Sequence, residues 1–200
     1  LRYEAGGLTP DSTYGYTLLG RAAAGAAGRP LTPLLHDAVL APAGMTATRV
    51  DDVRGLIPNR AQGYVRDGEG ELLNSALADM TYKVPGGGLS STAPDVARFG
   101  TALVSGRLLS ADTLTQMLTR QKTRDGRVTG FGLGLALGSR GRRTEAWHTG
   151  GQERVSTVIY LQPDSGLAVA ILTNLEKVQP RVLDLARRVA DLVTARAVLR

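Results

Sequence analysis

Trp147-His148-Thr149-Gly150-Gly151 lies between runs that read as strands. Ahead of it stand Phe131-Gly132-Leu133-Gly134-Leu135-Ala136-Leu137 and, across a charged turn, Thr144 to Trp147. Behind it come Val155 to Leu161 and Leu167 to Leu172. Thr-Gly-Gly at a strand end makes a turn on its own. A His directly before it, on a sheet edge, opens a second reading. A side chain that gives or takes a proton then stands beside backbone N–H groups that no Cβ shields. Acyl transfer needs that pairing, because an oxyanion requires N–H donors and a nearby group must move a proton. On this stretch alone, a glycine turn after a half-buried His and a catalytic edge are both open.

Working outward, Pro163-Asp164-Ser165-Gly166 turns the second pair of strands into a hairpin. A long amphipathic helix follows from Pro180 to about Val198, with Val182, Leu185, Val189, Leu192, Val193 and Ala197 expected as its buried stripe. Upstream, Ser12 is placed as an N-cap, and Tyr16, Leu19, Ala23 and Ala26 share one helical face that Gly28 ends. A short helix over 31–40 carries His36, a position more often at the surface or in a satisfied core than in a site. Gly63–Arg66 and Glu71–Leu73 read as a small hairpin around Asp67-Gly68. Thr92 and Ser110 cap two further helices. Pro85-Gly86-Gly87-Gly88 is a backbone-permissive loop, but it lacks the Lys-Ser/Thr and the preceding apolar strand of a phosphate-binding loop. One domain is expected: a helical and loop region over 11–128, then three antiparallel strands and a terminal helix over 129–200.

Composition narrows the classes. The chain has 200 residues, 42% of them hydrophobic and 21% charged, which fits one globular domain and argues against disorder. A net charge of +6 is spread along the sequence without basic–aromatic alternation, so nucleic acid is not an expected partner. There is no cysteine and only His36 and His148, which excludes thiolate and multi-histidine metal sites; no metal or cofactor is expected. No apolar run approaches the ~18 residues of a membrane span. The first residue is Leu, so a fragment or a processed product is expected.

Five pieces in order resemble the serine beta-lactamase-related family. It takes in class C beta-lactamases, DD-peptidases, penicillin-binding esterases and the mitochondrial beta-lactamase-like protein. Leu1-Arg2-Tyr3-Glu4-Ala5-Gly6 is similar to the segment ahead of the family's Tyr-Ser-Asn motif. Ser12 to Gly20 resembles the helix carrying that motif. Ala41-Pro42-Ala43-Gly44-Met45 looks like its Pro-Leu-Gly-Met corner. Gly87 to Phe99 is close to its Gly-Gly-Leu-x-Ser-Thr-x-x-Asp-hydrophobic-x-x-Phe run. His148-Thr149-Gly150-Gly151 resembles a variant of its Lys-Thr-Gly box.

The resemblance implies an α+β (α/β) fold of the beta-lactamase/transpeptidase type, an antiparallel sheet flanked by helices and incomplete on its amino-terminal side. It implies a cleft whose occupant is a small-molecule or peptide substrate. His148 is then the residue that handles the proton or orients a substrate carboxylate, and the Gly151 N–H is one oxyanion donor. Thr13, Thr149 and Gly150 line the substrate. The family's nucleophile is a Ser in Ser-x-x-Lys, and no Ser here has Lys at that place. The second motif falls on Asp11-Ser12-Thr13, where Asp11 replaces Tyr and Thr13 replaces Asn. A carboxylate that titrates near ~4 is a far weaker base than a phenolate near ~10. Asp11 therefore stands either as a substitute proton carrier or as an acid at a helix start. Two functions follow: part of a serine hydrolase, or a non-catalytic relative that kept the scaffold.

Overall fold

The computed structural model describes residues 12–198, with side chains to residue 195. Asp11, the Leu1–Gly6 segment and the side chain of Ala197 lie outside what is described. Helix α1 (Thr13–Ala27) begins where expected: Ser12 is extended and its hydroxyl accepts from the Gly15 N–H at 3.0 Å. Gly28 closes it in the left-handed region at φ 60°, and its N–H bonds back to the helix carbonyls. Helix α2 (Leu31–Leu35) runs through a π turn at His36–Leu40 into α3 (Ala41–Ala43). His36 is exposed and bonded to Asp37, which also holds Arg29 at 2.5 Å; this is a surface cluster.

Strand β1 (Arg49–Val50) pairs with β4 (Leu89–Ser90), and β2 (Tyr64–Arg66) forms the expected hairpin with β3 (Leu72–Asn74). Helix α4 (Ala93–Val104) is capped by the Thr92 hydroxyl, and α5 (Ala111–Met117) by that of Ser110.

The main sheet has four antiparallel strands rather than three, ordered β5 (Ala136–Arg140), β6 (Arg143–Gln152), β7 (Val155–Gln162) and β8 (Leu167–Thr173). The Phe131–Leu137 run is strand only from Ala136. Its alternating glycines mimic strand periodicity but serve close approach. Leu133 N–H bonds the Met117 carbonyl, and a Cβ on Gly132 would lie 2.0 Å from that same oxygen. Residues 130–135 therefore loop over α5.

β7 is covered on both faces, which explains the apolar run Val158–Leu161 within it. Val158 and Tyr160 pack with Val182, Ala186 and Ala190 of α6 (Gln179–Val198). Leu161 and Ile159 face the opposite way, onto Leu103, Phe99, Leu135 and Leu137. Gly100 sits where α4 crosses the sheet. A Cβ there would come within 2.7 Å of Ala168 and 2.8 Å of Leu161, so only hydrogen fits.

The terminal helix is present, but its buried stripe is not the expected one. Val182, Ala186 and Ala190 are inside, whereas Leu185, Leu192 and Val193 are 47%, 67% and 47% exposed. The helix is turned by roughly one residue step, about 100°, from the orientation its leucines suggest. Small alanines let it lie close to the sheet, and close packing outweighs the burial of larger side chains elsewhere. A buried ionic cluster fixes this orientation. Arg187 holds Glu145 through two bonds of 2.6 and 3.2 Å and lies 5.0 Å from the Trp147 ring centroid. The Tyr160 hydroxyl donates to Glu145 at 3.1 Å.

Candidate active site

Alternation along β6 assigns each motif residue a face. Glu145 and Trp147 meet Arg187 of α6, so odd positions look toward that helix. Ala146 belongs to the opposite core with Leu103 and Leu161, so even positions look toward the helical region. Contacts at the far end agree. Gln152 donates through Nε2 to the Gly87 carbonyl at 3.1 Å. Gly151 lies against Gln179 at the start of α6, so close that a Cβ would overlap the Gln179 carboxamide. His148 therefore shares a face with Gly150 and Gln152, and Thr149 shares one with Trp147 and Gly151.

β5 pairs with β6 only as far as Trp147, opposite Ala136. From His148 to Gln152 the strand is paired to β7 alone among the described residues. The motif thus occupies an open edge, with backbone groups available on the side where β5 has ended.

The turn that follows is held firmly. Arg154 adopts φ 76°, and its N–H donates to Glu176 Oε1 at 3.0 Å. Its guanidinium reaches the Ala61 carbonyl at 2.9 Å. The Ser75 hydroxyl donates to the same Glu176 oxygen, and that bond, then the one from Arg154, holds the carboxyl below its ordinary pKa.

The Pro85–Gly88 loop joins this edge to α1. A Cβ on Gly86 would lie 2.7 Å from the Thr13 carbonyl and 3.2 Å from Thr13 Cγ2. One on Gly87 would lie 3.2 Å from Gln152 Oε1. Pro85 in turn lies against Gly20 on α1. Thr13 and the His148 face are therefore brought to one loop from opposite sides, although 135 positions separate them in sequence. On the other flank Tyr16 approaches Gly134 in the loop before β5. A shallow hollow of about 140 Å³ is lined by Ser12, Gly15, Tyr16 and Leu19.

Asp95, in the first turn of α4, has a structural task. It is 1% exposed and accepts from the Ala47 N–H at 2.8 Å, Thr48 Oγ1 at 2.9 Å and Arg98 at 2.7 Å. It thereby ties Ala47 and Thr48, just past the Ala41–Met45 corner, to α4. Burial alone raises a carboxyl pKa, but the bonds from Thr48, Ala47 and Arg98 outweigh it and hold Asp95 below its ordinary value.

Of the residues expected in the site, His148, Thr149, Gly150 and Gly151 lie on one open strand end, and Thr13 faces the same loop. Asp11 lies outside the described residues. Gln152, Lys83 and Gly86 were not expected there. The glycine loop was visible as permissive backbone, but its partners come from distant chain segments. No group of three or more His, Asp or Glu side chains among the described residues could hold a metal. No described helix is long and apolar enough to cross a membrane.

The profile of the beta-lactamase family matches residues 10–194. Over 110 residues the chain is 33% identical to the mitochondrial serine beta-lactamase-like protein LACTB of Mus musculus, a match covering 53% of this chain and 19% of that protein. The Homo sapiens protein gives the same identity and coverage. Among solved structures, D-amino acid amidase from Ochrobactrum anthropi SV3, complexed with L-phenylalanine, superposes with a TM-score of 0.76 at 23% identity, covering 94% of this chain and 58% of the amidase. A penicillin binding protein from Bacillus halodurans gives 0.72 at 20% identity, covering 89% and 55%. The chain thus spans well under two thirds of each of these relatives. With the family profile matching almost end to end, over residues 10–194, the chain belongs to the beta-lactamase family.

Proposed function

We propose that this chain is the carboxy-terminal part of a serine hydrolase acting by acyl-enzyme chemistry on amide, ester or beta-lactam bonds. The observation that carries this is the meeting of the open His148–Gln152 edge and Thr13 at the Gly86–Gly87 loop. In this reading the nucleophile belongs to a Ser-x-x-Lys segment outside these 200 residues. His148 moves a proton to or from the reacting group. The Gly151 N–H donates to the oxyanion, paired with the nucleophile's own N–H. Thr13, Thr149 and Gly150 position the substrate along the edge. Asp11 supplies a second titrating group in place of a Tyr, and Asp11→Asn in the active protein tests that role through the pH dependence of ester hydrolysis.

The absence of Ser-x-x-Lys within the chain equally favours a scaffold-only relative. Labelling separates the two. A fluorescent penicillin is expected to leave no stable adduct on the 200-residue chain in a denaturing gel, because loss of a nucleophile forfeits several orders of magnitude. It is expected to label a longer gene product that carries Ser-x-x-Lys. An adduct on the short chain sinks the assignment of the nucleophile, and an inert long product favours the scaffold-only relative.

A further inference from the structure

Basic residues occur along the whole chain, but the acids that offset them do not. Residues 119–143 hold seven of the 24 basic side chains and only Asp125 of the 18 acids. That leaves 17 basic and 17 acidic residues elsewhere, so the whole excess of +6 belongs to this stretch. The fold gathers it at one edge of the main sheet. Residues 121–131 form a hairpin: the Thr123 N–H donates to the Arg127 carbonyl at 2.9 Å, and the Thr129 N–H to the Gln121 carbonyl at 2.8 Å. Arg120 clamps this hairpin to β5 by donating to the carbonyls of Thr129 at 3.2 Å and Leu137 at 2.9 Å. The Leu137 N–H donates to the Gly130 carbonyl at 2.8 Å. β5 then leads into the turn where Arg140 pairs with Arg143. Lys122, Arg124 and Arg127 stand beside the sheet edge, Arg140, Arg142 and Arg143 stand at its end, and all six are exposed. Nearby acids offset only part of this charge: Asp125 takes Arg127 and Asp191 takes Arg140. Lys122 and Arg142 make no ion pair among the described residues.

Apolar side chains share this edge. Lys122 and Val128 are cross-strand partners, which puts their side chains on the same side of the hairpin. Val128 is exposed, as are Phe131 and Leu133 in the segment leading back to β5. Single-stranded nucleic acid asks for cations interleaved with aromatic stacking platforms, and here the cations adjoin mainly aliphatic groups. Anionic headgroups above an acyl layer match the mixture, with cations on the headgroups and aliphatic side chains in the boundary. We propose that the hairpin and the Arg140–Arg143 turn form a docking surface for membranes that carry anionic lipid. This surface is independent of the acyl-transfer reading and holds for a scaffold-only relative as well.

The test is sedimentation of the chain with vesicles of phosphatidylcholine alone, or of phosphatidylcholine and phosphatidylserine in equal parts. Binding is expected to the anionic vesicles only, and to fall steeply with added salt. A basic residue near an anionic surface contributes about fivefold to partitioning, so Lys122→Gln with Arg142→Gln is expected to weaken binding about 25-fold. Arg66→Gln with Arg181→Gln removes the same charge from exposed positions outside this edge and is expected to change binding less than about threefold. Val128→Ser with Leu133→Ser is expected to weaken binding at least about threefold through lost apolar contact. Thermal melts show that each variant is folded, and the glutamine variants decide alone if the serine variant is not. Equal partition to the two vesicle types, binding that survives Lys122→Gln with Arg142→Gln, or an equal loss in the Arg66 and Arg181 variant overturns the proposal. Tighter binding to duplex DNA than to the anionic vesicles, unmoved by Val128→Ser with Leu133→Ser, makes the partner a nucleic acid and overturns it too.

Discussion

Replacing Asp95 by Ala removes the acceptor that joins the Met45–Thr48 corner to α4. Three donors lose their partner. Arg98 is half exposed and turns to water, so its share is small. Thr48 keeps its 2.7 Å bond to Ser91. The part-buried bond from the Ala47 N–H is charge-assisted, and its loss costs about 1.5 kcal/mol. With the lost charge-assisted bond from Thr48, the total comes to about 3 kcal/mol. In a domain of this size each kcal/mol moves the midpoint by roughly 2–4 °C, so Asp95→Ala is expected to melt roughly 6–12 °C lower by circular dichroism. The sign with pH follows from the depressed pKa of Asp95. Its contribution is fully present above the ordinary carboxylate range near ~4 and is lost as pH falls through the lower folded value. The gap between parent and variant is therefore expected to narrow on acidification. A shift below about 2 °C at neutral pH, against the ~6 °C expected, or a gap that widens in acid, contradicts this role for Asp95.

Other substitutions test the packing. Ala186→Leu, at a fully buried contact of α6 with the sheet, is expected to cost about 1–3 kcal/mol by denaturant titration, whereas Leu192→Asp stays within about 0.5 kcal/mol. Equal midpoints for the two place the helix in another orientation. Gly100→Ala is expected to destabilise by about 1–3 kcal/mol through overlap with Ala168 and Leu161, and an unchanged midpoint would show that α4 can move off the sheet. Tyr160→Phe, which removes one bond to buried Glu145, is expected to cost about 1 kcal/mol, measured in the same titration.

Local chemistry made much of this fold legible. Ser12, Thr92 and Ser110 cap their helices with hydroxyls that bond three residues on, and Gly28 ends α1 at positive φ; none of this needs a distant partner. The outer turn of β7–β8 is equally local. What stayed hidden depends on contacts between remote segments. The leucines of α6 suggested one buried face, but the choice was made by Glu145 and Tyr160 on the sheet, which pull Arg187 inward, and by alanines that permit close approach. Gly132 and Gly134 imitated strand alternation because a glycine chosen for proximity looks the same as one within a strand. In the site, His148-Thr149-Gly150-Gly151 was visible as a motif, but the convergence of Gln152, Lys83 and Thr13 on Gly86–Gly87 depends on tertiary packing alone.

In the proposed acyl transfer, the His148 edge handles a proton. The direct measurement is kcat/KM for a neutral ester in the longer Ser-x-x-Lys product, with and without His148→Ala, after thermal melts show both folded. A residue that transfers a proton in the transition state contributes typically ~10²–10⁴-fold. A loss in that range, carried by kcat rather than KM, is the predicted result. An unchanged kcat/KM in the folded His148→Ala protein contradicts that role and leaves Thr149-Gly150-Gly151 as strand backbone after a half-buried histidine.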